Sequence, residues 1–216
     1  MHFPRFTFCS VLLLLTASVA AQPSLDYGAI GGLSLASQSP GDDTRTGFNL
    51  GLFADYPVLP YVSVSFEAAF AQKGQNFDGE LTQPNDEDGD PIVLDEGTFT
   101  VALDYASFTL AAKPFVSLHR RTGAALYAVA GPRLDVLVRE KLLFEGPEES
   151  VRFSIDEHEV TVWGYDVGLG VRSGTLLPVP LLAEIRFSGG LTNAFDGTSR
   201  PTTRNQVVQL RAGVEF

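Results

Sequence analysis

Asn205-Gln-Val-Val-Gln-Leu-Arg-Ala-Gly-Val-Glu-Phe216, the last twelve residues of the chain, decides the fold. Read as a strand, it puts Val208, Leu210, Ala212, Val214 and Phe216 on one face and Val207, Gln209, Arg211, Gly213 and Glu215 on the other. One face is apolar, and the other carries charge of both signs. A soluble sandwich would wet the charged face. A membrane barrel turns the apolar face to lipid and the polar face inward, and a terminal aromatic suits a closing strand at the membrane surface.

The rest of the chain repeats this alternation. Strand-like segments run from Leu25 to Leu35, Gly47 to Tyr56, Tyr61 to Lys73, Thr98 to Phe115, Ala124 to Val138, Val160 to Arg172, Leu181 to Leu191 and Asn205 to Phe216. In the second, Phe48, Leu50, Leu52, Ala54 and Tyr56 oppose Asn49, Gly51, Phe53 and Asp55; in the third, Val62, Val64, Phe66, Ala68 and Phe70 oppose Ser63, Ser65, Glu67 and Lys73. Connections after the odd-numbered segments are long, and those after the even-numbered ones are short. This rhythm predicts an all-β fold: an eight-stranded antiparallel up-and-down transmembrane β-barrel with short periplasmic turns and long extracellular loops. Tyr27, Tyr56, Phe115 and Phe216 fall near short-turn ends and Phe48, Phe70 and Trp163 near long-loop ends, which predicts two aromatic belts.

Residues 1–21 read as a cleaved signal peptide, with Arg5, the apolar run Val11 to Leu15 and small residues at Val19-Ala20-Ala21; residues 22–216 are then the barrel domain. Cys9, the chain's one cysteine, leaves with the leader, so no disulfide or thiolate metal site is expected. Loss of Arg5 moves the formal net charge from −11 to −12. Such a surface repels nucleic acid. Outer-membrane lipid is the expected surrounding, an extracellular or secretion-machinery protein the expected partner, and a monomeric barrel the expected state. No cofactor motif is present.

Alternation turns Asp26, Asp55, Glu67, Asp135, Asp166, Glu184 and Glu215 inward, with Lys73, Lys113, Arg133, Arg172, Arg186 and Arg211. An eight-stranded barrel is just wide enough for its side chains, so these groups are expected to pair and plug the interior rather than line a pore. In particular, Arg133, Arg186 and Arg211 are expected to pair with Glu184, Glu215 and Asp135. Asp104 breaks the pattern: it faces outward unless it lies above the lipid or beside a β-bulge.

From Gly74 to Gly97 stand Asp78, Glu80, Asp86, Glu87, Asp88, Asp90, Asp95 and Glu96 without a Lys or Arg, which reads as a long solvated loop. Asp86, Asp88, Asp90 and Asp95 are weak candidates for a divalent cation, because Pro84 takes the first ligand position of a calcium loop and the last is not Glu. His158, among Ser154, Asp156, Glu157 and Glu159 in a loop read as Arg139 to Glu159, is the basis of the alternative reading, an outer-membrane enzyme acting on lipid or peptide. No second element orients that histidine.

Three patches carry a family resemblance. Tyr127-Ala-Val-Ala-Gly-Pro-Arg-Leu-Asp-Val-Leu-Val138 resembles the fifth strand of the PorT-like outer-membrane β-barrels, Glu184-Ile-Arg-Phe-Ser-Gly-Gly-Leu-Thr-Asn193 the seventh, and Phe108-Thr-Leu-Ala-Ala-Lys-Pro-Phe115 the fourth, with Thr109 where a proline is usual. The resemblance implies an eight-stranded barrel of the OmpA/OmpX type in the outer membrane. One branch of that family is tied to secretion and gliding, so the resemblance also implies a structural, interaction or secretion-associated role.

Overall fold

A computed structural model describes residues 25–39, 44–83, 92–119, 122–147, 150–153, 160–174, 178–192 and 204–216. Nine strands appear among them: β1 (Asp26–Ser39), β2 (Thr44–Leu59), β3 (Val62–Gln83), β4 (Ile92–His119), β5 (Ala124–Glu145), β6 (Ser150–Phe153), β7 (Thr161–Arg172), β8 (Leu181–Gly190) and β9 (Arg204–Glu215). Eight of them form the ring β1-β2-β3-β4-β5-β7-β8-β9, closed where β1 meets β9 with Leu33 opposite Leu210. All neighbours are antiparallel. Closure matters because it leaves no unpaired strand edge inside the membrane.

Burial follows the alternation residue by residue. Along β9, Val207, Gln209 and Arg211 are buried, while Val208, Leu210 and Ala212 are exposed. Leu33, Leu50, Phe66, Leu110, Leu169 and Ile185 make the same outward choice on other strands. These large apolar side chains meet a hydrocarbon phase, so their exposure to the outside of the ring costs nothing. The belts are visible as ring pairs: Tyr27 with Phe216 at 6.2 Å near the short turns, and Phe48 with Phe70 at 5.6 Å toward the other rim. Phe115, expected in the lower belt, instead packs against the interior apolar cluster. Lys113 lies two residues before it and pairs with Asp55 inside, so strand parity carries Phe115 inward as well.

The acidic stretch is largely not a loop. β3 runs on to Gln83 and β4 starts at Ile92, with Asp78 opposite Thr98 and Glu80 opposite Glu96, so the region is a hairpin. β5 joins it through Thr98 opposite Glu145, and β6 adds a fourth strand through Phe144 opposite Val151. Aromatic stacking accounts for this order. Phe77 stacks on Phe99 at 5.3 Å, and Phe99 contacts Phe144 at 4.8 Å, a three-ring ladder across three strands. Such pairs add about 0.5–1.5 kcal/mol each beyond the area they bury. β3, β4 and β5 are 22, 28 and 22 residues long. A membrane crossing needs about 9–11, so their long-loop halves stand clear of the bilayer.

The connection after β1, expected to be long, spans only residues 40–43, because both flanking strands outrun the sequence reading. Gly74 marks where β3 leaves the ring. Its φ is +125°, and a Cβ there would sit 1.9 Å from the Val101 carbonyl oxygen, so only glycine makes this bend.

Candidate functional site: the barrel interior

The inward residues of β4 pass through the interior layers in order. Val101, Leu103 and Tyr105 belong to an upper apolar cluster with Val162, against which Phe77, Leu137 and Leu142 pack. Ser107 and Thr109 enter a band of ion pairs. Ala111 joins a lower apolar cluster with Ile30, Phe53, Tyr127, Val129 and Leu182. Lys113 then reaches a second group of ion pairs near the short turns.

The central band contains four acids and four bases. Lys73 Nζ donates to Asp135 at 2.5 Å, and the Arg133 guanidinium bridges Asp135 at 3.0 Å and Asp166 at 2.7 Å. Arg186 touches Asp166 at 3.3 Å, Glu184 at 2.7 Å and Glu67 at 3.1 Å; Arg211 touches Glu67 at 2.6 Å and Glu184 at 3.3 Å. Hydroxyls complete the shell: Ser107 donates to Asp135, and Thr109 and Ser188 donate to Asp166. All eight charged residues are at most 7% exposed. A charge this deep is tolerable only with partners, and the equal count of signs supplies them. Within the band the cavity beside Asn49 and Gln209 measures about 10 Å³, room for about one water.

The lower group joins Asp55 to Lys113 at 2.5 Å and Arg172 to Glu215 at 3.2 Å and Asp26 at 3.5 Å. Glu215 therefore pairs with Arg172, not with the arginines of the central band. It lies near the end of β9, whereas Arg211, four residues earlier on the inward face, sits about 13 Å higher along an extended strand.

Tyr127 shows how the interior was fitted. Its ring lies over Gly170 of β7, where a Cβ would come within 2.3 Å of it. Asp104 lies beside a bulge, one of the two alternatives that its place in the sequence leaves open. The β4–β5 register slips between Asp104 and Tyr105, and Asp104 stands opposite Arg139, which pairs with it. Of the cation candidates, Asp95 lies in β4 opposite Leu81, so it is not in a calcium-type loop; Asp86, Asp88 and Asp90 lie outside the described residues, as does His158. Among the described residues no group of three or more His, Cys, Asp or Glu is placed to hold a metal ion.

Residues 20–196 match the family model of the outer membrane protein β-barrel domain. The chain belongs to this family. An outer-membrane location follows, and β9, beyond the matched residues, completes the ring of this outer membrane β-barrel. Among solved structures it is similar to Neisserial surface protein A (16% identity over 89% of this chain and 97% of that one, TM-score 0.47). It is similar also to OprG from Pseudomonas aeruginosa (15% identity, 91% and 98%, TM-score 0.45) and to Ail of Yersinia pestis (14% identity, 89% and 99%, TM-score 0.41). No curated protein matches it significantly.

The apolar clusters have little signature in the sequence. Ile30, Tyr127, Val129 and Leu182 are apolar residues on the inward face, where alternation leads one to look for polar ones. Phe53, on the inward face of the second segment, is the signal that the sequence offers.

Proposed function

We propose that this barrel is a closed, non-enzymatic membrane anchor that holds a protruding sheet outside the cell for a protein partner, and that it does not act as a general porin. The observation that carries this reading is the layered interior: a neutral ionic band, in which every charged side chain meets one of opposite sign, between two apolar clusters. Moving a hydrated ion through it would require breaking several buried pairs and wetting both apolar layers. The charge balance supports a plug in a second way, since equal numbers of opposite charges give no field to draw ions of one sign.

The sheet of β3, β4, β5 and β6 is the surface offered. Its described residues include Asp78, Glu96, Glu140 and Glu145 against Lys141 and Arg152, an acidic excess that favours a basic partner. A secretion-associated role of the PorT-like kind is the specific form proposed, with the barrel acting as a monomer and the first 21 residues directing export.

Conductance tests the plug. Purified barrel in planar bilayers is expected to give no steady single-channel current at neutral pH. Large, stable, ohmic steps would refute it.

A further inference from the structure

The lower ion group differs from the central band in one respect: its charges do not balance. Among the described residues, Asp26, Asp55 and Glu215 face Lys113 and Arg172, an excess of one negative charge. Asp26, Asp55, Lys113 and Arg172 line a cavity of about 80 Å³, together with Phe115 and Tyr127; Glu215 stands beside it, bonded to Arg172. Side-chain exposure rises from 7% at Asp55 through 28% at Arg172 to 38% at Asp26, so the cavity opens at the short-turn mouth, toward the periplasm.

Two carboxylates in it are incompletely served. Asp55 is 5% exposed, and its Oδ1 has no hydrogen-bond partner, although Oδ2 takes Lys113. Among the described residues, Asp26 has only the 3.5 Å contact from Arg172, which is already engaged with Glu215 at 3.2 Å. A buried acceptor without a donor is costly, and a surplus carboxylate beside it calls for a cation. The walls suit an ammonium in particular. The Lys113 ammonium lies 5.1 Å from the Phe53 ring centre and 4.4 Å from that of Tyr127, so aromatic faces here already stabilise one such group. A metal ion fits poorly: among the described residues no group of three or more His, Cys, Asp or Glu is placed to hold one.

We propose that the periplasmic mouth of the barrel is a binding cup for a primary alkylammonium group, brought by a small amine or by a lysine side chain of a periplasmic polypeptide. The ammonium bonds Asp26 and, once the Asp55 carboxylate turns into the cup, Asp55 Oδ1; the alkyl stem lies along Phe115. This does not depend on the reading of the extracellular sheet.

The test is nuclear magnetic resonance titration of the full barrel in micelles, following the amides of Ala125, Tyr127 and Asp26. n-Butylammonium is expected to shift them saturably, and n-butanol is not. Asp26→Asn is expected to weaken binding about tenfold, the loss of one charge-assisted hydrogen bond. Ser63→Phe, which fills the cup from β3, is expected to abolish it. Both variants must retain the dispersed spectrum of the folded barrel. Acetyl-Gly-Lys-Gly-amide binding at least as tightly as n-butylammonium supports a lysine side chain as the source; binding of the free amine alone supports a small amine. Equal shifts from n-butanol, or unchanged n-butylammonium binding in folded Ser63→Phe, would overturn the proposal.

Discussion

Replacing Asp166 by leucine is expected to cost about 3–5 kcal/mol of folding free energy. Asp166 accepts hydrogen bonds from Arg133 at 2.7 Å, Arg186 at 3.3 Å, Thr109 at 2.8 Å and Ser188 at 2.7 Å. Its removal leaves two buried guanidinium groups short of a partner and two hydroxyls without an acceptor. It also turns a neutral band into one with a net positive charge. Domains are typically stable by only about 5–15 kcal/mol, so the loss is a large fraction of the whole. Urea titration of barrel reconstituted in phosphatidylcholine bilayers measures it. A shift below about 1 kcal/mol would mean that the band tolerates an unpaired arginine, and hence that it is wet.

Leu210→Arg is the second large effect. Leu210 lies mid-strand on β9, opposite Leu33 and Ile185, and is 67% exposed on the outer face. Arginine at the bilayer midplane of a barrel costs about 2–4 kcal/mol, falling to about 0–1 near the interfaces. Tyr61, next to the β2–β3 turn and 71% exposed, is the rim control. The same titration is expected to separate Leu210→Arg from Tyr61→Arg by at least about 2 kcal/mol. Equal costs at the two sites would mean that Leu210 faces water.

The parts of this structure that the sequence displays are those in which alternation has a sharp physical cause. Glu184 and Arg186, or Arg133 and Asp135, share a face because they are two residues apart, and that face must be the inside because Ile185 and Leu134 flank them. The inward charges follow from this rule, and Asp104 stands out because it breaks it. It fails where both faces of a strand are apolar or both polar. Ile30 and Leu182 are apolar and inward, so the lower cluster carries no alternating signature. The hairpin beyond Gly74 has charged and polar residues on both faces, and its order comes from Phe77, Phe99 and Phe144, which become neighbours only once three strands are in register. β6 is four residues long and is held by its pairing to β5, a contact that no local pattern announces. The cup depends on an imbalance of charge within one layer, which appears only when the inward residues are sorted by height.

The central claim is that all eight ring strands turn their apolar face to lipid around a closed interior. Spin labels on single cysteines, one per strand at Leu33, Leu50, Phe66, Leu110, Leu126, Leu169, Ile185 and Leu210, test it in bilayers, with Cys9 changed to serine. Collision with oxygen, which concentrates in the hydrocarbon, is expected to be frequent at all eight. Collision with a water-soluble nickel complex is expected to be rare at the mid-strand sites. Ready access of the nickel complex to Leu50, Leu110, Leu169 and Leu210 would contradict the barrel in membrane.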